Sequence, residues 1–87
     1  MAKKSLAKSP DGASYEKLAA LLRSTRESKK ASQEGLAKVL GESKGFIQKI
    51  EYMQRRVDVV EFYRIARELS VDPVELFKSF VQQLESE

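Results

Sequence analysis

Eighty-seven residues suffice for one domain with a modest core, and no stretch reaches the roughly 18 consecutive apolar residues of a membrane span. The sequence has neither cysteine nor histidine, which excludes disulfides, thiolate chemistry, histidine proton shuttles and the common zinc sites. Sixteen Lys and Arg against thirteen Asp and Glu leave a formal charge of +3, so the placement of charge matters more than its sum.

Residues 1–13 read as a flexible basic arm. Lys3, Lys4 and Lys8 precede the turn-forming run Ser9-Pro10-Asp11-Gly12, and few apolar side chains accompany them. No apolar run follows the lysines as a secretory signal requires. Two readings of the arm stay open: a basic strip that lies along a nucleic-acid backbone, and a solvated tail.

Residues 14–87 read as a single helical domain. Ser14 is placed to cap a first helix, with Leu18, Leu21, Leu22 and Thr25 on one face and Tyr15 a turn earlier. The polar run Glu27-Ser28-Lys29-Lys30 ends it. Ser32 caps the second helix, whose Leu36, Ala37 and Leu40 point to the core, and Gly41 stops it in the left-handed conformation that other residues resist. Ser43 is placed to cap a third helix with Ile47 and Ile50 inside and Phe46 at the edge. The connection after it carries Arg55 and Arg56.

Asp58 and Glu61 form an acidic capping box for a fourth helix, whose Val59, Phe62, Ile65, Ala66 and Leu69 face inward. Asp72-Pro73 then opens a fifth helix, about residues 73–85. Its apolar residues Val74, Leu76, Phe77, Phe80, Val81 and Leu84 cover more than the face needed to dock on one core. The surplus predicts a homodimer with Phe77, Phe80, Val81 and Leu84 at the interface, the alternative being a monomer whose last helix wraps more of its own core. No β pattern and no repeat appears. The fold class expected is all-α, five helices.

On a wheel of 100° per residue the third helix turns Ile47, Ile50 and Glu51 inward. Gly45, Gln48, Lys49 and Tyr52 face outward, with Lys44 on the border near its start. Such a polar face is by itself compatible with an ordinary solvated surface.

Residues 33–51 resemble the helix-turn-helix of the phage repressor and Cro-like family, also called the Xre family. Ala37 matches the small residue where the two helices cross, Gly41 the turn glycine, and Leu36, Leu40, Ile47 and Ile50 the apolar positions that lock the pair. The similarity runs over residues 18–77. Arg26 and Glu51 match an arginine and a glutamate that the family pairs beneath the motif, and residues 57–73 resemble its fourth helix and the start of its fifth. Three residues depart from the pattern. Glu42 replaces a usual Val or Ile and predicts a more exposed turn, Met53 replaces a common glycine and predicts a different exit from the third helix, and Gly35 replaces a first-turn glutamate and removes a capping partner.

The resemblance implies a repressor-like fold with its third helix in the major groove of double-stranded DNA. There Lys44, Gln48 and Lys49 are the candidate base readers, since lysine can donate to guanine O6 and N7 and glutamine can read adenine through two bonds. Gln33, Ser43, Tyr52, Arg55 and Arg56 are the candidate phosphate contacts. Arg26 and Glu51 form a structural ion pair. The function implied is a cytoplasmic, nucleoid-associated transcriptional regulator, homodimeric on a palindromic operator. Phage switches, restriction–modification controllers and antitoxins all fit that description. The alternative is a protein-interaction module on the same fold that does not bind DNA. No cofactor, metal or membrane partner is expected. An enzyme is not expected either, because the sequence offers no glycine-rich phosphate loop or convincing carboxylate pair.

Overall fold

Five helices and no strand make up residues 11–86, the part of the chain that the computed structural model describes. They are α1 (Gly12–Ser28), α2 (Gln33–Val39), α3 (Phe46–Glu51), α4 (Val59–Glu68) and α5 (Pro73–Glu85). Most of the predicted basic arm lies outside the described residues. Its end does not, because α1 begins at Gly12 and takes in Ala13 and Ser14. Asp11 occupies the cap position and makes no side-chain cap bond, so Ser14 is a helical residue and caps nothing.

The remaining starts divide cleanly. Ser32 Oγ accepts the Gly35 N–H at 2.9 Å. A β-carbon on Gly35 would lie 2.7 Å from that oxygen, so the glycine that removes one capping partner makes room for another. Asp58 and Glu61 exchange both bonds of a capping box, and Asp72 accepts from Val74 and Glu75 ahead of Pro73. Ser43, in contrast, does not cap α3 with its side chain. Gly45 holds the cap position, and Ser43 supplies only its carbonyl, which accepts from the Phe46 N–H at 3.0 Å.

Four helices end in one and the same closure. After α1, α2, α3 and α4 the next-but-one amide returns to a carbonyl five residues back: Ala31 to Arg26, Glu42 to Ala37, Gln54 to Lys49 and Val71 to Ala66, at 2.8–3.2 Å. This double-bonded ending requires a left-handed residue just past the cap. Gly41 fills that place at φ 73°, while Lys30, Met53 and Ser70 take it without being glycine, at 59°, 60° and 60°. Met53 therefore does not send the chain out of α3 along another path. It adopts the conformation that a glycine would.

The core gathers Leu21 and Leu22 from α1, Leu36, Ala37 and Leu40 from α2 and its end, and Phe46, Ile47 and Ile50 from α3. Phe62, Ile65, Ala66 and Leu69 come from α4 and its end, and Leu76 from α5. Ala37 and Ala66 are fully buried where α2 packs against α3 and α4, positions with no room for a longer side chain. Two expectations are corrected here. Phe46 is buried outright and not an edge residue, and Val59 is 79% exposed, because as the first residue of α4 it precedes the turn that meets the core. Helices of six and seven residues such as α3 and α2 do not persist alone in water, so their burial is what makes them helical.

A left-handed β-carbon is strained by roughly 1–2 kcal/mol. Ser70 carries that strain at an exposed position where its side chain packs against nothing in the core. Ser70→Gly is accordingly expected to stabilise the fold by about 0.5–1 kcal/mol, after the entropy that glycine adds to the unfolded chain. Urea unfolding midpoints measure this, and an unchanged or lower midpoint contradicts it.

Candidate nucleic-acid interface

Beneath α3 lies a charged node. Arg26, near the end of α1, donates Nε–H to Glu51 Oε2 at 2.7 Å and Nη2–H to Glu51 Oε1 at 3.0 Å. Its remaining nitrogen donates to the Ala31 carbonyl at 2.8 Å. Gln33, at the start of α2, donates its side-chain amide to Glu51 Oε1 at 2.8 Å. The Glu51 side chain is 1% exposed and that of Arg26 10%. The hydrogen bonds from Arg26 to Glu51, with the carboxylate's charge, hold the guanidinium above its ordinary pKa despite the opposing effect of burial. One carboxylate thus ties together α1, the loop after it, and the starts of α2 and the end of α3.

Gln33 is drawn into this node through its side-chain amide. Arg55 is committed as well. It forms a two-bond pair with Glu61 at 2.8 and 2.9 Å, donates to the Arg56 carbonyl, and lies 4.7 Å above the Phe46 ring. Arg56 donates to the Tyr15 hydroxyl at 2.7 Å and rests over its ring, which carries it toward the start of α1. Ser43 is exposed in the turn.

What remains on the outer side of α3 is Gln48 and Lys49 within the helix, Tyr52 at its end, and Lys44 in the turn before it, all exposed. Gly45 sits among them without a side chain, and the stem of Lys49 passes 3.9 Å from where its β-carbon would be. Lys44 Nζ lies 3.7 Å from Glu34 Oε2, an exposed pair from the first turn of α2. The face thus offers two ammonium groups and one amide on a rigid support. It can donate hydrogen bonds to acceptors on a surface of the right shape, and base edges in a major groove present such acceptors.

A second connection was not legible in the sequence. Arg64 of α4 donates to Glu42 Oε2 at 3.1 Å and also to the Leu40 carbonyl at the end of α2. Glu42 is therefore half-buried and held, where an exposed turn was expected. The apolar contact that Val or Ile would make there is replaced by an ion pair reaching across 22 residues, and no local signal marks Arg64 as its partner.

Among the described residues no cluster of His, Cys, Asp or Glu could hold a metal ion, and no helix is long and apolar enough to cross a membrane.

Comparison with known proteins follows the same lines. Residues 22–76 match the helix-turn-helix family HTH_3. An XRE-family like protein from Pseudomonas syringae pv. tomato str. DC3000 is 32% identical, with a TM-score of 0.78 over 88% of this chain and 94% of that one. The restriction-modification controller protein C.AhdI from Aeromonas hydrophila is 34% identical, with a TM-score of 0.68 over 74% of this chain and 97% of that one. No curated protein matches the sequence.

Removing one partner of a buried pair strands the other charge, at a cost of about 3–5 kcal/mol. Glu51→Ala and Arg26→Ala should each destabilise by that order in urea unfolding, while Arg26→Met with Glu51→Leu should lose much less than the two costs summed. Additive losses would mean the pair is not coupled.

The Arg55–Glu61 pair makes the fold sensitive to acid. Hydrogen bonds from Arg55, aided by the Asp58 amide and the positive charge of Arg55 and Arg64, hold the Glu61 carboxyl below its ordinary value near 4.5 although burial opposes them. A depressed folded-state pKa means the unfolded chain takes the proton first. The stabilisation is whole above about pH 4.5 and disappears as pH falls through the folded-state value. Glu61→Gln should therefore be less stable than wild type at pH 7 and approach it as the pH drops below that range. A constant gap between the two proteins from pH 7 to pH 3 would contradict this.

Proposed function

Because the chain belongs to the Xre/Cro-C1-type helix-turn-helix family of DNA-binding transcription regulators, we propose that it is a sequence-specific regulator that binds double-stranded DNA as a homodimer on a palindromic operator. The observation that carries this reading is the division of α3 into a buried side fixed by Ile47, Ile50 and the Glu51 node, and an outer side on which Lys44, Gln48 and Lys49 stand free of the core. A helix meant only to fill space needs no such fixed angle. One that must present donors to base edges does, since a bond formed at the wrong tilt is lost.

In this proposal Lys44, Gln48 and Lys49 read bases, and Tyr52 reaches a phosphate at the rim. Arg56 joins it if it leaves Tyr15. Gln33 and Arg55 act through the scaffold, by holding α2 and the loop after α3 in place. Occupancy of the operator is the mode of action, with affinity falling steeply as salt rises because phosphates release their counterions.

The proposed homodimer rests on apolar surface that the fold leaves open, and we put its interface nearer α4 than the α5 residues expected from the sequence. Of Phe77, Phe80, Val81 and Leu84, only Phe77 is exposed. Phe80 packs on the core and Leu84 lines a groove against Tyr15 and Leu18. The open apolar face lies instead between α4 and α5, where Val59, Tyr63, Val74 and Phe77 are 50–79% exposed around a groove of about 490 Å³. Phe77 stands edge-on to buried Phe62 at 6.1 Å, so this face continues directly into the core. We assign the two-fold contact to it, with Val81, one turn beyond Phe77, at its margin. A dimer places two α3 helices about one DNA turn apart, roughly 34 Å.

Selection of bound sites from random duplex DNA tests the whole reading. The wild type should return a palindrome with fixed half-site spacing. Phe77→Glu should return single half-sites or nothing. Lys44→Ala with Lys49→Ala should lose at least about 30-fold in affinity for the selected site with an unchanged circular dichroism spectrum, since two base contacts at about 1–3 kcal/mol each sum to about 2–6 kcal/mol. Failure of the wild type to enrich any sequence would end the proposal.

A further inference from the structure

The Glu51 node fixes the start of α2 and the end of α3, and the turn between them is placed by other contacts. That turn is residues 41–45, and it carries Lys44. Gly41 and Glu42 close it onto α2 through their amides, at 3.0 and 2.9 Å from the Lys38 and Ala37 carbonyls. From Ser43 the chain is not helical until Phe46. The Lys44 side chain does little to place itself. It is 80% exposed, and its contact with Glu34 at 3.7 Å joins two groups open to water, an arrangement of small worth. Where Lys44 stands is therefore set by the backbone beneath it.

Arg64 reaches that backbone from α4. Its guanidinium donates to the carbonyl of Leu40, the last residue before the turn, and to Glu42 Oε2 at 3.1 Å, so it clasps the chain on both sides of Gly41. Two bonds from one planar group to points two residues apart fix direction as well as distance. The Leu40 carbonyl is one of those that the end of a helix leaves without a partner of its own. The ground behind the clasp is firm, since Phe62, Ile65 and Ala66 of α4 are buried and a capping box holds its start.

We propose that Arg64 is a positioning residue for base reading, acting through Lys44. This rests on the DNA-binding reading above. To donate to guanine O6 and N7 the ammonium must arrive within hydrogen-bond reach of both, whereas attraction to phosphates tolerates a shift of the turn. With the clasp closed, the turn holds one conformation before DNA arrives. Without it the turn spreads over several, of which only a fraction places Lys44, and affinity for the matching site falls by that fraction. Binding to other sequences draws on charge, which every one of those conformations carries, and falls little. The clasp stays closed on either kind of DNA, so no contact is given up on binding and the whole effect falls on discrimination.

The test compares wild type with the double variant Glu42→Gln and Arg64→Met, which removes the clasp and leaves net charge unchanged. Affinities are measured on the duplex recovered by selection and on a random-sequence duplex of equal length, across a salt series. The double variant should bind the selected duplex about three- to ten-fold more weakly and random duplex within about two-fold, with an unchanged salt slope on the latter. In a Lys44→Ala background the same pair of substitutions should change the ratio of the two affinities by less than about two-fold. Equal losses on both duplexes with a slope shallower by about 0.9 would make Arg64 a phosphate contact and overturn the proposal. So would no loss on either duplex, or a loss of discrimination undiminished without Lys44. Circular dichroism and melting curves establish that the double variant is folded at the assay temperature. If it is not, Arg64→Lys, which keeps the charge and can serve only one acceptor at a time, carries the same comparison and should lose discrimination in the same direction. A wild type that binds neither duplex would instead overturn the reading beneath the proposal.

Discussion

The hydrogen-bonded carboxylate of Glu51 is the constraint on which the rest depends. Apolar contacts attract without direction, and two helices of six and seven residues held only by such contacts could slide or tilt over their neighbours with modest loss. A guanidinium that grips both oxygens of a carboxylate fixes distance and plane together. With Gln33 added, the start of α2 and the end of α3 are referred to the same two oxygen atoms. Burying these charges is costly unless every donor and acceptor is answered, and no buried side-chain nitrogen or oxygen among the described residues lacks a partner.

The basic residues separate by chemistry. Every arginine of the chain has a partner within the fold: Arg23 with Glu27, Arg26 with Glu51, Arg55 with Glu61, Arg56 with Tyr15, Arg64 with Glu42 and Arg67 over Tyr63. The planar fork suits carboxylates and aromatic faces at fixed geometry. The ammonium groups on the outer side of α3 are compact, hydrated and mobile, and they remain at the surface. The charges that tie helices together belong to Arg26, Arg55 and Arg64, while the outer side of α3 carries lysines, which a count of basic residues cannot show.

Much of the fold could be read from the chain, because its signals are local. Ser32, Asp58 with Glu61, and Asp72 with Pro73 each mark a helix start within four residues, and apolar spacing identifies most of the inner faces of α1 to α4. The failures are equally physical. Ser14 and Ser43 had the chemistry of caps, but a cap depends on where the backbone turns, and it turns three and two residues away, at Asp11 and Gly45. Val59 fitted the apolar spacing of α4 yet precedes its first inward turn. Met53 breaks a family habit in sequence and keeps it in conformation, since the surrounding hydrogen bonds impose the left-handed form whatever the side chain. At the candidate interface the outward positions of Gln48 and Lys49 followed from the helical wheel. The partners of Gln33, Arg55, Arg56 and Glu42 did not, because they come from residues 6 to 41 positions away.

The six residues of α3 set a limit on information. At 1.5 Å per residue the helix rises roughly 9 Å, the height of about three stacked base pairs. A single reading element of that length can distinguish a few dozen sequences, whereas a bacterial chromosome presents on the order of a million or more competing positions. No choice of side chains on one short helix closes that gap. For the DNA-reading function proposed above, the brevity of α3, set by the closure at Met53, makes duplication a matter of addressing and not merely a gain in grip.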